Sequence, residues 1–218
     1  VDGKLLTAKA IFGIFKANSN DTDDILIYDE NNQEQVKFLT LRQQVQKSKG
    51  KDYLALSDFI APKSTGKTDY MGAFCVTTGF GTDELSDQYE KDNDDYNAIM
   101  VKAIADRFAE AYAEFLHKKV RTEYWGYANQ ENLSNEDLIA EKYKGIRPAP
   151  GYPACPDHLE KHAIWGLLKV KENIGVYLTE SVAMFPTAAV SGYYFGSPHA
   201  KYFGLGKITE EQVKEYSE

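Results

Sequence analysis

The side chains best equipped for chemistry gather at residues 147 to 158, Arg-Pro-Ala-Pro-Gly-Tyr-Pro-Ala-Cys-Pro-Asp-His, which hold four of the chain's seven prolines. Each proline fixes its own φ, lacks an N–H and drives the preceding residue toward extended geometry, so Arg147, Ala149, Tyr152 and Cys155 are turned away from helix. The result is a stiff extended ribbon in which Gly151 lets another group come close. Two readings follow. As a ligand surface, the ribbon offers the planar fork of Arg147 to an anion, together with backbone groups of Arg147, Ala149, Gly151 and Tyr152 that lack partners within the segment. As a connector between two helices it needs no ligand, and Arg147 pairs with a surface acid such as Glu141.

Asp106, Glu110 and Glu114 recur at every fourth residue of a helical stretch, and Lys102 and Lys118 extend the row into a solvated, salt-bridged stripe. Cys155, His158 and His162 have Cys-x2-His-x3-His spacing, which raises zinc. A fourth ligand is not evident, though, and a capped helix start bearing two polar residues is the plainer reading. Cys155 ahead of a helix N-terminus also suits a thiolate nucleophile with His158 or His199 as base, without the strand-turn-helix signature that usually accompanies one. The loop Pro62-Lys-Ser-Thr-Gly-Lys67 looks like a phosphate loop but lacks its spacing and context.

The elements that must hold these residues are readable from period and punctuation. Lys9–Lys16, Ile25–Tyr28, Val36–Leu41, Tyr53–Ile60 and Tyr70–Thr77 read as strands, with a turn at Asn18–Asp24 and a hairpin at Glu30–Gln33. Tyr96, Met100, Ile104, Phe108, Ala111, Tyr112 and Phe115 recur at helical spacing and predict a long helix over Asp95–Glu123, with Asp106, Glu110 and Glu114 on its opposite face. Ser134 with Asp137 caps a helix running to Gly145, and Asp157 with Glu160 starts another through about Val170, packed by Leu159, Ile164 and Leu167. Val176–Leu178, Ala188–Phe195 and Lys201–Lys207 read as strands, and Thr209 with Gln212 opens a last helix. Strands, then helices, then strands predict an α+β fold with a largely antiparallel sheet and long packing helices, not a Rossmann fold. Gly204-Leu-Gly206 alone makes no dinucleotide turn.

With 43% hydrophobic and 27% charged residues, 15 tyrosines and 11 phenylalanines, the composition is that of a folded protein with an aromatic excess. A net charge of −8 without a basic cluster argues against nucleic acid as a partner. No apolar run approaches the ~20 residues of a membrane-spanning helix, and no signal-peptide pattern opens the chain. Two cysteines make no disulfide framework, so the expected location is cytoplasmic. With no repeat or linker, residues 1–218 are expected to form a single domain. The start at Val1, almost directly on a strand-like run, suggests an excised piece.

Arg147 to His158 resembles the Arg-x-x-x-Gly-Tyr signature of the activation (reactivation) domain of cobalamin-dependent methionine synthase. The resemblance runs from about Asp24 to the C-terminus, through Ala61-Pro-Lys63, Asp94-Asp-Tyr-Asn97, Tyr124-Trp-Gly-Tyr-Ala128, Glu131-Asn-Leu-Ser-Asn-Glu136 and Ser191-Gly-Tyr-Tyr-Phe195. It implies a site for S-adenosylmethionine formed by Arg147, Ala149, Gly151, Tyr152, Tyr202 and Phe203, with Glu110 and Glu141 near its reacting end. Asp106 and Glu110 are then expected on the surface that meets the cobalamin-binding module. The ligand's carboxylate suits the Arg147 fork, and its sulfonium suits tyrosine faces, carbonyls and carboxylates.

The implied activity is part of a methyltransferase, with no catalytic side chain in this domain, because methyl transfer to cobalt moves no proton. S-adenosylmethionine supplies the methyl, and a flavodoxin-like partner supplies an electron, to restore cobalamin that has been oxidised to the inactive cob(II) state. Cobalamin and zinc belong to other modules, and no Asp-x-His-x-x-Gly cobalamin motif occurs here. The family's domain carries further helical sequence before the point where this chain begins, so an N-terminal portion is expected to be missing. Other readings are a non-catalytic module that senses S-adenosylmethionine or docks a redox partner, and a thiol- or metal-dependent enzyme at Cys155.

Overall fold

A computed structural model describes residues 5–216. Its centre is a five-stranded antiparallel sheet in the order β3-β2-β1-β4-β7, with β1 at Thr7–Ser19, β2 at Ile25–Tyr28, β3 at Glu34–Phe38, β4 at Asp69–Phe80 and β7 at Ala189–Tyr194. The antiparallel, non-Rossmann expectation holds. A separate hairpin pairs β5 (Tyr177–Leu178) with β6 (Met184–Phe185).

Alternation along the central strands supplies two cores. Met71, Ala73 and Cys75 of β4, with Tyr193 of β7, face α4 (Lys161–Leu168) and α5 (Val170–Ile174), which contribute Ile164, Leu167, Val170 and Ile174. Phe74 and Val76, with Tyr194, face the opposite way toward Ala113 and Leu116 of α2 (Asp95–Lys119). With period-2 alternation and both faces covered, β4 is buried almost throughout.

The long helix exists, but its packed face is not the one expected. Ala105, Ala109 and Ala113 are buried, whereas Tyr96, Ile104, Phe108 and Phe115 are exposed. The sheet fills the interface with its own large rings, Phe74 and Tyr194, stacked at 4.5 Å, so only a small-residue face can approach it. Asp94 caps α2 by accepting the Asn97 N–H at 3.1 Å. At its far end Val120–Tyr124 forms a π-turn, with the Trp125 N–H reaching the Val120 carbonyl five residues back.

Other expectations are corrected. Tyr53–Ile60 is not a strand: Leu56–Phe59 is a 3-10 turn fixed by the Asp58 carboxylate, which accepts the Ala55 N–H at 2.8 Å. Lys201–Lys207 carries no strand, and the Leu205 N–H bonds the Pro153 carbonyl instead. The sequence reading gives no helix at α1 (Thr82–Lys91), which is mostly polar and buries only Thr82 and Ser86. The helix from Asp157 is divided at Lys169, whose φ of 47° separates α4 from α5. Leu159, expected in its core, is exposed, while Ile164 and Leu167 are buried. At the C-terminus, α6 (Glu210–Tyr216) is capped by Thr209 and Gln212 in the expected way, their side chains and backbone N–H groups exchanging hydrogen bonds.

Candidate functional site

The proline-rich ribbon lies along the free side of β7, the last strand of the sheet. Ile146 and Phe195 exchange backbone hydrogen bonds of 3.0 Å, and the Pro148 carbonyl accepts the Tyr193 N–H at 2.9 Å. Pro148 has no N–H to continue the pairing, so the chain leaves the edge there. Gly145 and Gly192 permit this approach: a Cβ at Gly145 would lie 2.4 Å from the Phe195 oxygen, and one at Gly192 would lie 2.5 Å from the Pro148 oxygen. The ribbon then turns on itself, with the Tyr152 N–H donating to Ala149 and the Gly151 N–H to Cys155. The Arg147 N–H donates to the Tyr202 hydroxyl at 3.0 Å. Three of the four backbone N–H groups expected to face a ligand are therefore already engaged.

A cleft of about 790 Å³ opens beside the ribbon. It brings together Arg147, Ala149, Tyr152, Tyr202, Phe203, Glu110 and Glu141. Gly151 does not line it. Gly151 has a φ of +93° and supports the His158 ring, whose Cε1 would be 2.2 Å from a Cβ there, so its part is to shape the turn. Phe74 and Val190 form apolar wall, and His158, Lys161 and Met184 are also part of the lining. The Lys161 ammonium donates to the Val182 carbonyl at 3.0 Å and lies 3.1 Å from His158 Nδ1, and burial lowers its pKa.

Glu141 reaches the cleft through a local backbone device. The helix α3 (Asn135–Ile139) begins with the Ser134–Asp137 capping box but stops well before Gly145. Glu141 adopts φ 53°, and the N–H groups of Glu141 and Lys142 return to the carbonyls of Leu138 and Asp137. This is a Schellman ending with glutamate where glycine is usual.

Behind Arg147 lies a charge network that the sequence did not single out. Arg147 NH1 is 2.5 Å from Glu114 Oε2, so its acid partner is Glu114 rather than Glu141. Burial opposes the Arg147 charge, but Glu114 outweighs it and raises the guanidinium pKa. The other Glu114 oxygen lies 3.7 Å from NH1 of Arg121, a fully buried arginine held by Glu131 at 2.8 Å. The Arg121 guanidinium sits 4.3 Å from the centre of the Tyr143 ring. His117, also fully buried, stacks on Tyr194 at 5.0 Å; burial, then Arg121 and Arg147, hold its pKa well below the ordinary value, so the ring is neutral. Nothing in the sequence marked Arg121 as inward. The π-turn that aims it has no sequence signature.

Asp106 stays outside the cleft, exposed on α2 and 3.8 Å from Arg107. Cys155 is buried, and burial pushes its thiol up to about 12, which disfavours a nucleophilic thiolate. Among the described residues no group of three or more His, Cys, Asp or Glu side chains is disposed to hold a metal, and no helix is long and apolar enough to cross a membrane.

Over residues 1–218 the chain matches the family described as vitamin B12 dependent methionine synthase, activation domain. It is also similar to the crystal structure of the MetH reactivation domain bound to AdoHcy. The two share 53% sequence identity and a TM-score of 0.95, over 99% of this chain and 66% of that one. The chain thus spans just under two thirds of the length of that relative.

Proposed function

The chain belongs to the activation-domain family of vitamin B12 dependent methionine synthases, and from that membership we propose that its cleft binds S-adenosylmethionine for reductive methylation of inactive cobalamin. One observation carries the reading: a single cleft gathers an arginine fork, two carboxylates and three aromatic rings at Arg147, Glu110, Glu141, Tyr152, Tyr202 and Phe203. That set matches the ligand's carboxylate, its cationic sulfonium and ammonium, and its adenosyl group. The AdoHcy in the related crystal structure is the product of such a transfer.

Cobalamin would be held by another module of the synthase and, when bound, would supply the metal that takes the methyl, with a flavodoxin-like partner as the electron source. The residues of this chain bind and aim the donor. Arg147 fixes the carboxylate end, so the sulfonium methyl points one way for in-line displacement. Glu110 and Glu141 stabilise the sulfonium. Because that charge disappears as the methyl leaves, their attraction is greatest for the donor and weakest for the product. They therefore favour donor binding and product release, and no proton changes hands.

The test is Arg147→Ala in the full-length enzyme. Turnover from preformed methylcobalamin is expected to persist while S-adenosylmethionine-dependent reactivation is impaired. Equal loss of both would contradict the reading.

A further inference from the structure

We propose that Glu114 is a positioning residue that aims Arg147 at the carboxylate of the ligand; this rests on the assignment of the cleft to S-adenosylmethionine. Glu114 is not part of the cleft lining. It stands behind Arg147, on α2, and engages the NH1 corner of the fork.

Both ends of Arg147 trace back to one buried anchor. At the backbone end, the Arg147 N–H donates to the Tyr202 hydroxyl, which lies 3.1 Å from the Tyr143 hydroxyl. The Tyr143 ring packs under the Arg121 guanidinium. At the side-chain end, Glu114 joins Arg147 to the same Arg121. Arg121 is held in turn by Glu131 through Nε at 3.0 Å and NH2 at 2.8 Å. The contacts close a ring: Arg147, Tyr202, Tyr143, Arg121, Glu114 and back to Arg147.

Two arginines and two glutamates balance in charge, and the buried His117 beside them is neutral. An arginine side chain has many rotamers, and a carboxylate held from behind selects one of them before the ligand arrives. Glu114 thus acts through Arg147, and its effect is confined to ligands that carry the group Arg147 grips.

The experiment is calorimetric titration of the full-length enzyme with S-adenosylhomocysteine and with its decarboxylated analogue, which differs only in that group. The wild-type enzyme should prefer S-adenosylhomocysteine. Glu114→Gln should weaken S-adenosylhomocysteine by about 10- to 100-fold, by analogy with the loss of a group that orients a metal-binding side chain, and leave the analogue within about twofold. Glu114→Asp keeps the charge but withdraws it by one methylene, and should show the same selective loss even if the Gln variant fails to fold. Equal weakening of both ligands would make Glu114 merely structural, and unchanged or tighter S-adenosylhomocysteine binding would equally overturn the proposal. A wild-type enzyme indifferent to the carboxylate would instead sink the role of Arg147, and this proposal with it.

Discussion

The Tyr193 N–H donates to the Pro148 carbonyl at 2.9 Å, and this bond sets the proline-rich ribbon against the edge strand of the sheet. The ribbon is thereby both a sheet cover and one wall of the cleft. Its position depends on how closely the two backbones approach, and Gly192 is one of the two glycines that allow it.

Gly192→Ala should disturb the cleft by pushing on its lining while leaving every ligand-binding side chain in the sequence. The added Cβ would meet the Pro148 oxygen at 2.5 Å and the Phe74 ring at 3.1 Å. Overpacking of this kind costs about 1–3 kcal/mol, partly offset by about 0.4–1 kcal/mol from a stiffer unfolded chain. Urea denaturation should show a net loss of stability, and titration should show weaker S-adenosylhomocysteine binding. A variant unchanged in both would mean that the ribbon moves freely.

Glu160 links stability to pH. Burial, with some help from Asp157, pushes its carboxyl up to about 7, although it accepts the Leu39 N–H at 3.3 Å. Unfolded, it would titrate near ~4.3, so between ~4.3 and ~7 the folded form holds a proton that the unfolded form has lost. This contribution falls as pH rises through that window, and above it the folded state carries the full cost of a buried charge. Glu160→Gln cannot ionise and still accepts the Leu39 N–H. Its stability relative to wild type should improve from pH 5 to pH 8 by about 2–3 kcal/mol. His117, which titrates in the opposite sense, is present in both proteins and cancels. A pH-independent difference in denaturation free energy would refute the assignment.

Glu141 sets stability against binding. Its left-handed φ of 53° costs about 1 kcal/mol or more, a strain that glycine would relieve at an entropic cost of about 0.5–1 kcal/mol. Glu141→Gly should therefore match or slightly exceed wild-type stability. Without the carboxylate, S-adenosylmethionine affinity should fall by about fivefold or more relative to S-adenosylhomocysteine, since only the former carries the sulfonium charge. Unaltered selectivity between the two ligands would remove Glu141 from the cation site.

Much of this arrangement is legible in residue order, and the exceptions have physical causes. The nearly continuous apolar runs along Tyr70–Thr77 and Ala188–Phe195 mark strands because both faces of the sheet are covered there. The proline spacing of the ribbon marks an extended segment, and Ser134 and Thr209 mark helix starts because capping is local. The packed face of α2 misleads because exposed Phe108 and Phe115 repeat with the same period as buried Ala105, Ala109 and Ala113. Only the rings already filling the sheet surface decide between the two faces. Tyr202 and Phe203 read as a strand yet are held by a hydroxyl bond and ring contacts. The pairing of Arg147 with Glu114 spans 33 residues and depends on where Arg121 is buried, which no local pattern encodes.

The central claim is that Arg147 makes this cleft a site for the methyl donor and its product. Calorimetric titration of the full-length enzyme and its Arg147→Ala variant with S-adenosylhomocysteine tests it most directly, with thermal melting to confirm that both are folded. Saturable one-to-one binding by the wild type, weakened by about 100-fold in the variant, is the predicted result, since a charged, partly buried carboxylate contact is worth about 2–3 kcal/mol. Equal affinities for the two proteins, or no binding by a folded wild-type enzyme, would contradict it.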